Sequence, residues 1–343
     1  MTVTVPLPQG GYPVHIRAGL LDRCGAYLAA LGIRRWAVVS DETVAALYGG
    51  AVLDSLAQTG LSARLLTFPA GEAHKTPDTV LSLCRWLAQA GFTRADGLLA
   101  LGGGVTGDAA GFAAACYQRG MALVQVPTTL LAQVDSAVGG KTAVDLPEGK
   151  NLLGAFYQPR LVLIDPDCLA ALPPREIRCG AAEIIKYGLI RDPALLDMME
   201  ADAPDWENVI ARCLTVKAAL VAADERDAGE RRLLNFGHTF GHAYEAAGGY
   251  TACTHGEAVA AGMAAMLRWQ LRRGDDVRAA YNRLLSLLRR WDLPHTLPCG
   301  GTAAYLKQDK KREGETLHAV LLRSAGDAYV ADVPLAALLE GLA

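Results

Sequence analysis

Leu98-Leu99-Ala100-Leu101-Gly102-Gly103-Gly104-Val105-Thr106-Gly107-Asp108 is the stretch that decides how the first half of the chain reads. Four apolar residues make a buried-strand pattern, three glycines turn the backbone, and the small-residue run Ala109–Tyr117 continues as a helix. A strand that passes through a glycine turn into a helix leaves free backbone N–H groups and the positive end of the helix dipole facing one point. That point favours a phosphate, and a dinucleotide pyrophosphate suits it. The spacing departs from the G-x-G-x-x-G fingerprint, so the turn by itself reads equally as a tight strand-to-helix connection.

Outward from this turn, short β-rich runs alternate with helical ones. Trp36–Ser40, Ala63–Phe68, Gly97–Leu101, Ala122–Val126 and Leu161–Ile164 are the expected strands, with amphipathic segments Val44–Gln58 and Thr79–Ala90 among them. The alternation predicts a largely parallel sheet covered on both faces, with an added hairpin from Val3–Leu7 and Val14–Ala18. Pro127-Thr128-Thr129, Asp135, Gly139-Gly140-Lys141 and Gly149-Lys150-Asn151 gather hydroxyls, an acid and lysines after a strand. In open α/β folds ligands bind at that edge, so these residues predict a polar ligand cleft. Leu172-Pro173-Pro174-Arg175-Glu176 ends the alternation, because two prolines remove donors and set up a helix start. The expected division is an α/β domain over 1–172 and a mainly α-helical domain over 173–343. In the second, helices are expected near 174–190, 205–226, 235–247, 255–273 and 276–291, and a strand pair near 317–322 and 327–331.

Two domains suit a chain of 343 residues, since single cores stop growing at roughly 250–300. Apolar residues make up 51% and charged residues 20%, which excludes a disordered chain. A net charge of −3 gives no basic footprint for nucleic acid. The eight cysteines contain no C-x-x-C pair, which argues against a disulfide framework or a cysteine zinc site and fits a reducing cytoplasm with most thiols as buried fillers. The first ten residues lack a secretory pattern, and no apolar run is long enough to span a membrane.

Three of the seven histidines lie in Asn235-Phe236-Gly237-His238-Thr239-Phe240-Gly241-His242 and Thr254-His255-Gly256-Glu257. His238 and His242 are four apart and share a helix face, as in H-E-x-x-H metal helices, although no Glu follows the first. Two imidazoles with a carboxylate would leave a catalytic metal one open position. Glu183, Glu245 and Glu257 are the candidate carboxylates; Glu183 sits in the apolar run Ala181-Ala182-Glu183-Ile184-Ile185-Lys186, where a charge is costly without a partner. A buried Glu beside a cation or metal is the economical reading, and the alternative, an i,i+3 surface pair with Lys186, fits the apolar neighbours poorly.

These motifs together resemble the 3-dehydroquinate synthase family. The resemblance rests on Gly102–Asp108 with Gly111-Phe112, Tyr117-x-Arg119-Gly120, Gln125–Ala132, Val138-Gly139-Gly140-Lys141, Gly149-Lys150-Asn151-Leu152, Glu183-x-x-Lys186-Tyr187-Gly188, Leu234–His242 and His255-Gly256-Glu257. It implies a Rossmann-like N-terminal domain, a helical C-terminal domain, a cleft between them holding NAD and zinc or cobalt, and a homodimer. By resemblance the metal ligands are Glu183, His238 and His255, and His242 handles protons instead of coordinating. NAD contacts are implied for Asp41, Glu72, Lys75, Gly103, Gly104, Val105, Thr106, Gly107, Asp108, Thr128, Thr129, Asp135, Lys141 and Lys150. Substrate contacts and catalysis are implied for Lys141, Asn151, Lys186, Lys217, Arg231, Asn235 and the Lys310-Lys311 pair, with Arg119 reaching the neighbouring subunit's substrate.

The implied reaction is the shikimate-pathway conversion of 3-deoxy-D-arabino-heptulosonate 7-phosphate to 3-dehydroquinate and phosphate, a phosphorus–oxygen lyase step toward aromatic amino acids. Transient oxidation by NAD acidifies the neighbouring C–H, phosphate leaves, the hydride returns, and an aldol step closes the ring. The chain departs from the family pattern at Asp227, where Glu is usual, and at Thr106, Ala137 and Ala171. Alternatives with shared architecture are sugar-phosphate cyclases of the amino-dehydroquinate, deoxy-inosose or valiolone type, and a metal-dependent polyol dehydrogenase; a scaffold protein is a further one. Cyclases whose substrates lack a carboxylate have no use for Arg231 beside Asn235.

Overall fold

A computed structural model describes residues 1–298, 302–306, 312–313 and 316–339. The expected contacts Lys310 and Lys311 lie outside the described residues. The chain forms two compact units, Met1–Leu172 with Trp206–Ala222, and Pro173–Asp205 with Ala223–Ala343.

The first unit is built on a seven-stranded sheet. Its strands are β1 (Thr2–Val5), β2 (Tyr12–Ile16), β3 (Arg35–Asp41), β4 (Ser62–Phe68), β5 (Gly97–Gly102), β6 (Ala122–Pro127) and β9 (Leu161–Ile164), in the order β1-β2-β9-β6-β5-β3-β4. Only β1 runs antiparallel, to β2. Side chains alternate between faces. Ala37, Val39, Leu98, Ala100 and Leu123 enter one apolar cluster with helices α1 (Pro77–Gln89) and α2 (Gly104–Cys116). Trp36, Val38, Leu99, Leu101, Val124 and Val126 enter the other, with Leu28, Val52 and Leu56. Every residue of β5 is buried, as a central strand of a doubly covered sheet requires. Each fully buried Leu or Val there contributes about 1.5–3 kcal/mol.

Between β6 and β9 the chain makes an antiparallel pair, β7 (Lys141–Leu146) and β8 (Gly149–Phe156). The sequence reading had only a polar cleft segment here, and the difference has a clear cause. Of β7, Thr142 and Val144 are buried while β8 is mostly exposed, so the polar residues face solvent on a half-covered ribbon.

Helix α4 (Trp206–Ala223) corrects the expected assignment of all residues after 172 to one domain. Its Glu207 accepts from the Ala18 N–H at 2.9 Å, and its Lys217 donates to Asp135, so it is bonded into the first unit.

The second unit contains helices α3 (Pro174–Ile190), α5 (His238–Ala247), α6 (His255–Arg272) and α7 (Arg278–Arg290), and strands β10 (Arg312–Glu313), β11 (Thr316–Ser324) and β12 (Asp327–Pro334) in one antiparallel sheet. A short helix, Ala194–Glu200, was not expected from sequence, and residues 230–235 form a 3-10 turn ahead of α5. Gly237 holds that junction with φ 79°, and a Cβ there would lie 2.5 Å from Met263 of α6. α5 therefore starts where only glycine permits both the turn and the approach. Among the described residues no helix is long and apolar enough to cross a membrane. The seven described cysteines form no disulfide; Cys24, Cys168, Cys179 and Cys213 are buried as expected, whereas Cys116 is exposed.

Candidate active site

Within the first unit, the chain turns back at β3: β4 lies on one side and β5 on the other. Such a reversal opens a crevice at the C-terminal strand ends. Asp41 closes β3 there, accepting from the Val44 N–H at 3.0 Å and from Thr106 Oγ1 at 3.3 Å, and so links the two strand ends. The first intrahelical bond of α2 runs from Gly107 N to Gly103 O. The amides of Gly104, Val105 and Thr106 therefore precede any helical acceptor. A Cβ on Gly103 would come within 2.9 Å of Thr129 Cγ2, so a side chain at this position would crowd the adjoining threonine. Thr128 N donates to Gly102 O, and Thr129 Oγ1 accepts from Ala132 N, which fixes the adjoining wall.

A polar chain continues from α2. Lys75 Nζ lies 2.6 Å from Asp108 Oδ2 and donates to Asn151 Oδ1 at 2.6 Å. Burial alone would lower the Lys75 pKa, but Asp108, Glu72 and Asp145 outweigh it and raise it. Burial also raises Asp108, against the pull of Lys75. Lys150 reaches Glu72 at 3.4 Å. Asp145, which sequence reasoning missed, accepts from Asn151 N at 2.8 Å and holds that residue in its left-handed conformation, φ 54°. Lys217 is 4% exposed and donates to both the backbone and the carboxylate of Asp135. Lys141 is exposed at the start of β7. Arg119 is not brought to this group: it follows the far end of α2, about 20 Å from Gly104 at 1.5 Å per residue.

In the second unit, Glu183 lies mid-way along α3, 1% exposed, and His238 and His255 are the first residues of α5 and α6. Glu183 Oε1 lies 3.7 Å from His238 Nε2 and 3.4 Å from His255 Nε2. One donor atom from each of the three fits within 4.8 Å of the others. His238 Nδ1 lies 3.2 Å from Phe236 O; a carbonyl only accepts, so the proton sits on Nδ1 and Nε2 keeps its lone pair for a cation. His255 Nδ1 faces Glu245 Oε2 at 3.5 Å, and Glu245 is 4% exposed. Burial lowers the His255 pKa, but Glu183 and Glu245 together push it up to about 10. One carboxylate and two imidazoles at this spacing fit zinc or cobalt.

The other sequence candidates have different partners. Glu257 forms the capping box of α6 with Thr254 and pairs with Arg175 at 2.8 Å. His242 is exposed, its ring 5.3 Å from that of His238. The Glu183–Lys186 pair exists, but buried: Lys186 Nζ contacts Glu183 Oε2 with both side chains at 2% exposure or less. Arg231 is 1% exposed and donates from Nη1 to Glu225 O at 2.6 Å. Its backbone N–H, with those of Ala228 and Gly229, is held by Asp224, which no sequence motif marked. Asn235 ends the turn before α5, and Asp227 is left-handed, φ 60°.

With that geometry in place, comparison with known proteins is decisive. The 3-dehydroquinate synthase N-terminal family matches residues 65–179, and its C-terminal counterpart matches residues 180–312. The chain belongs to the 3-dehydroquinate synthase family. A 3-dehydroquinate synthase of Caulobacter vibrioides (strain NA1000 / CB15N) is 48% identical, with 98% of this chain and 96% of the relative covered. Among solved structures, a 2-deoxy-scyllo-inosose synthase complexed with carbaglucose-6-phosphate, NAD+ and Co2+ superposes with TM-score 0.88 at 27% identity, covering 100% of this chain and 99% of the other. The 2-epi-5-epi-valiolone synthase of Streptomyces hygroscopicus subsp. jinggangensis 5008, with NAD+ and Zn2+ bound, gives TM-score 0.87 at 31% identity, covering 98% and 97%. The family's Rossmann-like α/β part and mainly helical part correspond to the two units described above.

Proposed function

We propose that this chain converts 3-deoxy-D-arabino-heptulosonate 7-phosphate to 3-dehydroquinate and inorganic phosphate, using NAD and a zinc or cobalt ion. The observation that carries this reading is the Glu183, His238 and His255 donor set, within 4.8 Å, in a chain matching the family over residues 65–312. NAD, when bound, supplies a reversible hydride acceptor, and the divalent ion supplies a Lewis acid.

The chain's own groups would then divide the work. Glu183, His238 and His255 would hold the ion. The amides of Gly104, Val105 and Thr106 would take the pyrophosphate, with Gly103 and Gly107 keeping the turn narrow. Asp41, Glu72, Lys75, Asp108, Thr128, Thr129, Asp135, Lys141 and Lys150 would line the rest of the dinucleotide. Arg231 and Asn235 would receive the substrate carboxylate, since a guanidinium fork matches it. Lys186 and Lys217 each have three N–H donors, so substrate oxygens can share them with Glu183 and Asp135. Asn151 would add a further hydrogen bond, and Lys310 or Lys311 a phosphate contact. His242 would take and return a proton at a substrate oxygen, a role that its exposed position beside His238 supports. Arg119 would reach the substrate of a neighbouring copy in a cytoplasmic homodimer; its position beyond the far end of α2 supports that.

The test is a substrate panel with the NAD- and zinc-loaded protein. Phosphate release from the heptulosonate phosphate, and none from sedoheptulose 7-phosphate or glucose 6-phosphate, is expected. The reverse preference would replace this reading with a cyclase whose substrate lacks a carboxylate.

A further inference from the structure

We propose that Cys179 is a positioning residue for the metal ligand His255, its thiol holding the first turn of α6 where the imidazole faces Glu183. The inference rests on reading Glu183, His238 and His255 as the metal set. Arg175, Cys179 and Glu183 stand four residues apart on α3, so they share one face at steps of about 6 Å along the helix. Each meets one residue of the first turn of α6, in reverse order. Arg175 Nη2 pairs with Glu257 Oε2 at 2.8 Å, Cys179 Sγ accepts from Gly256 N at 3.2 Å, and Glu183 Oε1 lies 3.4 Å from His255 Nε2.

The middle contact is where the two helices touch. A Cβ on Gly256 would lie 2.4 Å from Cys179 O and 2.5 Å from its Cα, so backbone meets backbone beside the ligand. The thiol also completes the donor accounting of the α6 terminus, whose first N–H groups have no acceptor within the helix. Thr254 N donates to Glu257 Oε2 at 2.7 Å and Glu257 N to Thr254 Oγ1 at 3.2 Å, so the capping box serves those two. Gly256 N is served by the sulfur instead. Cys179 is 4% exposed, and a buried donor stripped of its acceptor pays its full desolvation penalty. Without the sulfur the first turn of α6 would have to shift to find another acceptor, and His255 is the neighbouring residue. The thiol is therefore more than a space filler: it anchors the backbone from which one ligand projects, as the partners behind metal ligands do.

The test is a zinc competition between a chromophoric chelator and the full-length protein. It is run well below the melting temperature of each metal-free variant, so lost fold stability alone leaves the dissociation constant unchanged. Cys179→Ala and Cys179→Val both remove the acceptor, the second while keeping the volume filled. Each should raise the zinc dissociation constant about tenfold, as loss of a partner behind a ligand does, and shift the visible bands of the cobalt-loaded protein. Cys179→Ser keeps an acceptor, and should bind zinc within about threefold of the parent and keep its cobalt spectrum. Arg175→Ala removes the exposed pair on the other side of the helix contact, and should stay within about twofold. Parent-like zinc binding by the alanine and valine variants, or a serine variant as weak as they are, would overturn the proposal. So would a sulfur-to-cobalt charge-transfer band in the parent, because the thiol would then be a ligand. A loss in Arg175→Ala equal to that in Cys179→Ala would also overturn it, since any loosening of α6 would then suffice. A parent that binds no zinc would remove the metal reading and this inference together, whereas the other outcomes leave the metal reading standing.

Discussion

Glu245 shows what single residues add to the sequence reading. Spacing offered it as one of three carboxylates for a metal. Its oxygen instead faces His255 Nδ1 at 3.5 Å, behind the nitrogen turned to Glu183. A carboxylate in that position fixes the imidazole's tautomer and orientation, and loss of such a partner typically weakens metal affinity 10–100-fold. Glu245→Gln should therefore raise the zinc dissociation constant by about that factor in a chelator competition, and shift the visible absorption of the cobalt-loaded protein; unchanged affinity and spectrum would reject the role. His242 was indistinguishable from a ligand by helical spacing alone, because i and i+4 share a face whatever their burial. His242→Ala should keep zinc stoichiometry and lose at least 100-fold in kcat, within the usual range for a proton-transfer group; full activity would contradict its assignment. Asp224 carries a pH signature. Burial raises its pKa, but the N–H groups of Gly229, Ala228 and Arg231 outweigh that and hold it below the ordinary value. A depressed folded-state pKa means stabilisation that is complete above the unfolded value of about 3.9 and is lost as pH falls through the folded value. Asp224→Asn should then cost about 1–2 kcal/mol near neutral pH, with the two denaturation curves converging in acid. A constant difference across that range would contradict it.

At the scale of elements, the parallel strands were legible because β3, β5 and β9 are nearly continuous apolar runs, which only a doubly covered sheet can bury. The β7–β8 pair was not, since Lys141, Asp145, Lys150 and Asn151 mask a ribbon covered on one side. Nor could periodicity show that α4 joins the first unit, because an apolar stripe says that a helix packs and leaves open on what. The junction of β5 and α2 was read correctly as strand, turn and helix, and the structure adds the reason for its glycines. Gly103→Ala should weaken NAD binding at least tenfold in a fluorescence titration, because its Cβ would lie 2.9 Å from Thr129 Cγ2 at the helix terminus; unaltered binding would remove the terminus from the NAD site.

For the whole molecule, the two units hold different chemistry: an anion-favouring helix terminus in one, a carboxylate and imidazole donor set in the other. Either alone is compatible with several enzyme classes, and the ordered motifs joined them into one family assignment. The choice between a cyclase and a dehydrogenase is a matter of hydride balance, since a cyclase returns the hydride that it takes. The most direct test is to follow phosphate release and absorbance at 340 nm together, with the zinc-loaded protein, NAD and the heptulosonate phosphate. The account predicts one phosphate and one 3-dehydroquinate per substrate consumed, with no net rise at 340 nm. A rise that tracks substrate consumption, without phosphate release, would contradict it.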